Sequence, residues 1–140
     1  MKQHDNCVFC KIARGQIPAA KVHEDELTLT FMDAYPANEG HTLVIAKEHF
    51  ETLMDIDEYH LTAVAVTARR IARAIHKALQ PDGLRVSQFN GVAAGQSVFH
   101  YHLHIVPMQA GQRPGAHGRS PGKPEELQRI AGQIRAALEH

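Results

Sequence analysis

With 140 residues, 44% of them apolar, the chain is sized for a single domain with a real hydrophobic core. Fifteen Lys and Arg balance fifteen Asp and Glu, so no net charge draws it toward nucleic acid or acidic membranes. No apolar run approaches the ~20 residues that span a bilayer, no secretory signal is visible, and two cysteines suit a reducing cytoplasm better than a disulfide framework.

Cys7-Val8-Phe9-Cys10-Lys11-Ile12 precedes Gly15 and Pro18 and reads as a short helical turn that soon stops. Its Cys-x-x-Cys leaves three readings open: half of a zinc site, a redox pair, or two small buried hydrophobes. No thioredoxin-like strand–helix–strand pattern follows, which weighs against redox. A closed structural zinc site would need two further ligands, and the chain carries 11 histidines. Lys21 to Glu24 and Leu27 to Met32 read as strands joined by the acidic turn Glu24-Asp25-Glu26. Residues 33–40 form a loop by their Pro, Asn and Gly content. His41 to Ala46 is the next strand, apolar on both faces after its start and therefore buried.

A long helix follows, capped by Asp55 or Asp57. Leu61, Val64, Ala65, Ala68, Ile71, Ala72, Ile75 and Leu79 recur along it at helical spacing. Arg69, Arg70, Arg73 and Lys77 fall mainly on other faces as solvated surface. His60 and His76 are expected to be exposed. Pro81-Asp82-Gly83 ends the helix, and Leu84 to Phe89 alternates as a strand. Asn90-Gly91 then turns the chain into a run of small residues that leads to Gly95, Gln96 and Ser97.

The most informative stretch is His100-Tyr101-His102-Leu103-His104-Ile105-Val106. A strand has a side-chain period of two, so three imidazoles share one face, roughly 6–7 Å apart, while Tyr101, Leu103 and Ile105 pack on the other. Charging one imidazole discourages charging the next, so the row is expected to stay neutral near pH 7. A neutral imidazole is a nucleophile, a base or a metal ligand. No Asp or Glu occurs from Gly83 to Pro124, and no Lys or Arg between Val86 and Gln112. Whatever this row handles is held by imidazoles, amides and hydroxyls. Ser97 lacks both a G-x-S-x-G elbow and a nearby acid, so it is no serine-hydrolase nucleophile. Pro107 is expected to end the strand. Residues 110–124 read as a mobile loop, more a linker than a lid or dimer contact. Glu125 to Leu138 is a last amphipathic helix, with Pro124 at its first turn and Leu127, Ile130, Ile134 and Leu138 on one face.

Gly95 to Val106, GQSVFHYHLHIV, resembles the signature of the histidine-triad (HIT) family of nucleotide hydrolases and transferases, and GHTLVIAK resembles its GH-x-LVIPK pattern with Ala46 in place of Pro. The resemblance covers about residues 5 to 108. It implies an α+β fold: an antiparallel sheet of about five strands, one long helix and a C-terminal helix, assembled as a homodimer around that helix and the neighbouring strands. It implies that His102 attacks the α-phosphorus of a purine nucleotide, giving a nucleotidyl-histidine that water hydrolyses. His104 and Ser97 would bind the phosphate and help the leaving group depart, and His100 would orient its neighbour. Asp33 would contact the ribose, with His41, Asn90, Gly95 and Gln96 near the phosphate. Val8, Phe9, Ile12, Phe31 and Leu43 are candidates for the base pocket. The resemblance also implies a structural Zn2+ held by Cys7, Cys10, His49 and His100. Ser97 suits a nucleoside phosphoramidase. A dinucleoside polyphosphate hydrolase, and a zinc- or nucleotide-binding module with little turnover, are the alternatives.

Overall fold

The computed structural model describes residues 4–113 and 120–139. The loop expected over residues 110–124 falls partly outside them. The elements run α1 (Val8–Ala13), β1 (Lys21–Glu24), β2 (Thr28–Met32), β3 (Thr42–Ala46), α2 (Glu58–Leu79), β4 (Gly83–Ser87), a 3-10 turn at Val92–Ala94, β5 (His102–Met108) and α3 (Pro124–Ala136). The five strands form one antiparallel sheet in the order β1-β2-β3-β5-β4. This is the α+β architecture expected, with β3 buried throughout as its apolar run requires.

The two faces of the sheet do different work. One carries Thr28, Met32, Val44 and Ile105 against Val64, Ala68, Ile71 and Ile75 of α2 and Ile130 and Ile134 of α3. Val64, Ile71 and Ile75 are fully buried, each worth about 1.5–3 kcal/mol of apolar burial. Thr28 Oγ1 meets Thr67 Oγ1 at 3.2 Å, pinning helix to sheet. The other face carries Leu29, Phe31, Leu43 and Ile45 under Phe9 and Ile12 of α1. Leu43 lies opposite His104 and Ile45 opposite His102, so the imidazoles emerge on this second face.

Four local expectations are corrected. His60 is buried at 8% exposure, because its N–H and Nδ1 both meet Asp57 Oδ1, the helix cap, and its ring lies 5.1 Å from that of Phe50. Ala65 is exposed, since the buried stripe of α2 runs instead through Thr67 and Ala74. The strand expected over Leu84–Phe89 runs from Gly83 to Ser87. Pro107 does not end β5, which continues to Met108. β3 pairs only as far as Ile105, and the Pro107 carbonyl turns to Asn38 Nδ2 at 3.1 Å on that vacated side. The missing N–H therefore interrupts no ladder.

Candidate active site and metal centre

A cavity of about 660 Å³ opens on the α1 side of the sheet. His102, Ser97, Asp33, Ala34 and Tyr35 are among the residues that line it. Val8, Phe9, Ile12, Ile17, Phe31 and Leu43 form much of the apolar wall. Phe9, Ile12, Phe31 and Leu43 belong both to the core and to this wall: one side of each packs while the other faces the cavity. The ring of His102 lies edge-on to Phe9 at 5.0 Å and to His104 at 4.8 Å.

Hydrogen bonding assigns opposite tautomers to the two strand histidines. His102 Nδ1 lies 2.5 Å from the carbonyl oxygen of His100. A carbonyl only accepts, so Nδ1 carries the proton and Nε2 carries the lone pair. His104 is set from further away. The Ala37 N–H donates to His41 Nδ1 at 2.9 Å, so the proton of neutral His41 is on Nε2. That Nε2 lies 3.0 Å from His104 Nδ1 and 3.5 Å from Asp33 Oδ2. His104 Nδ1 thus accepts, and its proton sits on Nε2. One ring presents a lone pair and its neighbour presents an N–H.

His100 turns to a different task. It precedes β5, and its Nδ1 lies 3.3 Å from Cys7 Sγ and 3.5 Å from Cys10 Sγ, while His49 Nδ1 lies 3.3 Å from Cys10 Sγ. All four ligand atoms fall within 4.8 Å of one another. Tetrahedral zinc with bonds of about 2.3 Å to sulfur and about 2.0 Å to nitrogen sets such neighbours about 3.5 Å apart, so the donor set fits. His100 Nε2 reaches the Ala46 carbonyl at 2.6 Å, which places the proton there and leaves Nδ1 to the metal. Burial pulls the His100 ring down to about 4, keeping it neutral, and burial pushes the Cys7 thiol up to about 11. A bound cation would reverse the latter by displacing the thiol proton.

Among the remaining expected residues, Ser97 and Asp33 line the cavity. Asp33 is buried, with Oδ1 accepting the Tyr35 N–H at 2.8 Å. Gln96 is buried and committed to its loop: Nε2 donates to the Glu51 and Val98 carbonyls, and Oε1 accepts from Gly91. Asn90 Oδ1 likewise accepts from Leu53 N–H and Gln88. Both brace the segment that carries Gly95 and Ser97. His4, missed in the sequence, stacks on His49 at 3.9 Å and sends its N–H to Cys10 Sγ at 3.4 Å. Also missed were Tyr35, Pro121, Gly122, Pro124, Leu127 and Gln128 in the cavity wall, for which no local motif exists.

A five-stranded antiparallel sheet that presents alternating histidines beside an apolar cavity defines a class, and comparison with known proteins agrees. The family model for the HIT domain matches residues 14–111, and the chain belongs to that family. The protein named hit from Bacillus subtilis is 44% identical over 138 residues, 96% of this chain and 95% of its own. Adenosine 5'-monophosphoramidase hnt1 of Schizosaccharomyces pombe is 33% identical over 135 residues, 95% of this chain and 98% of its own. Among solved structures, a zinc-bound histidine triad family protein from Mycobacterium smegmatis superposes with a TM-score of 0.84 at 39% identity, over 95% of this chain and 93% of that one. Among the described residues, no helix is long and apolar enough to cross a membrane.

Proposed function

We propose that this chain hydrolyses purine nucleoside phosphoramidates at the α-phosphorus through a nucleotidyl intermediate on His102. One observation carries the reading: the His102 ring lines the cavity while its Nδ1–H is held by the His100 carbonyl, so the Nε2 lone pair is turned away from the backbone. Attack by Nε2 forms an N–P bond as the P–N bond to the leaving amine breaks. Water then cleaves the N–P bond, releasing the nucleoside monophosphate and restoring the imidazole. His104, with its Nε2–H, and Ser97 bind the phosphate oxygens and assist departure. Asp33 holds the ribose, and Val8, Phe9, Ile12, Phe31 and Leu43 enclose the base. The lack of Lys or Arg between Val86 and Gln112 suits one reacting phosphate rather than a polyphosphate tail. The Schizosaccharomyces pombe relative, an adenosine 5'-monophosphoramidase, supports the same substrate class.

Cys7, Cys10, His49 and His100 would hold a structural zinc ion, which supplies rigidity where α1 meets the triad. A homodimer through α2 and the sheet edge is part of the proposal. β4 is one of the two edge strands, and Val86 on it is 55% exposed, while Val66 of α2 is 48% exposed. The test compares initial rates on adenosine phosphoramidate and diadenosine polyphosphate, in wild type and His102→Ala. The expected result is faster release of AMP from the phosphoramidate and none from the variant, with an unchanged Tm. Faster cleavage of the dinucleotide would reassign the substrate, and inertness toward both would make the chain a binding module.

A further inference from the structure

We infer that Phe89 is a positioning residue: it holds the His104 ring so that Nε2–H faces the leaving group, and the departure of a basic amine depends on it. This rests on the nucleotide reading above, in which His104 assists departure.

β5 runs between β3 and β4, so His104 has a neighbour strand on each side. On β3 its partner is Leu43, and His41, just ahead of that strand, reaches His104 Nδ1 at 3.0 Å. On β4 its partner is Ser87, a side chain too small to steady an imidazole. The chain leaving β4 supplies what Ser87 lacks. Two residues on, the Phe89 ring lies 5.2 Å from the His104 ring, tilted by 45°. The strands that deliver His41 and Phe89 flank β5 on opposite sides. Phe9 has the corresponding place at His102, edge-on at 5.0 Å.

The two contacts on His104 restrain different motions. A hydrogen bond at Nδ1 fixes one nitrogen and its proton, but the ring can still rock about that contact. Packing against a second ring limits the rocking, because aromatic pairs favour particular tilts and offsets. Phe89 also meets the turn that leads to Ser97. A Cβ built on Gly95, which has φ +102°, would stand 3.8 Å from Phe89 Cγ, an ordinary contact distance. One half-buried ring therefore lies against both His104 and the Gly95-Gln96-Ser97 segment.

As a P–N bond breaks, negative charge builds on the leaving nitrogen. A hydrogen bond aimed there lowers the barrier only while its direction is kept. The demand grows with the basicity of the leaving group. An amine needs the donor, whereas p-nitrophenolate, already a stable anion, departs without it. A misdirected His104 is costly for the first and harmless for the second.

The test assays the full-length protein on adenosine phosphoramidate and on the p-nitrophenyl ester of AMP, as wild type, Phe89→Ala and Phe89→Leu. Phe89→Ala is expected to lose about tenfold in kcat/KM on the phosphoramidate, part of the roughly hundredfold or more that a positioned acid–base group contributes. On the ester its kcat/KM should match wild type, and calorimetry should give an unchanged Kd for AMP. Phe89→Leu refills much of the space and should regain part of the lost rate. If Phe89→Ala melts too low to assay, the Leu variant carries the same comparison. Equal losses on the two substrates, or no loss on either, overturn the inference and leave the nucleotide reading standing. A wild type inert toward both substrates overturns that reading and the inference with it.

Discussion

His41 and His104 meet ring nitrogen to ring nitrogen at 3.0 Å, although 63 residues separate them in the chain. Because Ala37 donates to the other nitrogen of His41, the proton between the rings belongs to His41. His104 is left with its own proton on Nε2, beside the ring of His102.

His41→Ala removes that tautomer control. We expect kcat for adenosine phosphoramidate to fall about tenfold to a hundredfold, as when a supporting partner of a functional histidine is lost, with little change in KM. His41→Gln keeps an N–H to donate and should recover part of the rate. An unchanged kcat in the Ala variant would refute the relay.

The proposed metal centre and the proposed nucleophile share one residue, since the ring of His100 faces Cys7 and Cys10 while its carbonyl holds His102. Elemental analysis should find a single zinc ion per chain, lost in Cys10→Ser. Treatment with a chelator should lower Tm by several degrees, because the ion binds only the folded chain. Metal content near zero in wild type rejects the site.

Acid stability reports on Asp25. Burial alone would raise its carboxyl, but N–H groups of Thr28 and Leu27, the Thr28 hydroxyl and the His23 ring together hold it below the usual 3.8. A depressed folded value means that the unfolded chain binds protons first on acidification. The stabilisation is complete above the unfolded value and is lost as pH falls through the folded one. The urea-midpoint gap between wild type and Asp25→Asn should therefore hold steady from about pH 7 to about pH 5 and shrink below about pH 4. A gap undiminished in acid contradicts this.

Gly40 has φ +89°, and a Cβ there would stand 2.6 Å from Leu79 Cδ1 and 2.9 Å from Pro107 Cγ. Gly40→Ala should cost about 1–3 kcal/mol from the backbone alone, with crowding added, and disturb neighbouring His41. Gly132→Ala is the control. It lies inside α3 with nothing within 4 Å of a Cβ, and should stabilise by about 0.5–1 kcal/mol. Urea unfolding of both variants decides; equal stability of Gly40→Ala and wild type would be the contrary result.

Much of this fold was legible along the chain. The alternation of His102 and His104 with Leu103 and Ile105 shows which side of a strand is core, and helical spacing from Leu61 to Leu79 shows a sheet-packing helix. The errors came where tertiary surroundings outweigh local pattern. His60 is buried by its bonds to Asp57 and by Phe50, and Pro107 stays in β5 because its neighbour strand has already ended. The wall from Pro121 to Gln128 carries no motif of its own; the turn before α3 is tied back to Ala34 through the Gly122 N–H.

The sequence by itself determined the face on which His102 and His104 lie, the order of the strands and helices, and a Cys-x-x-Cys pair of thiols whose use it left open. Those are short-range matters, set by side-chain period and turn chemistry. Only the tertiary structure decided which nitrogen of each ring holds its proton, and where Cys7 finds His100, 93 residues away. A proton's place depends on the carbonyl or ring it faces, and folding brings those partners from distant parts of the chain.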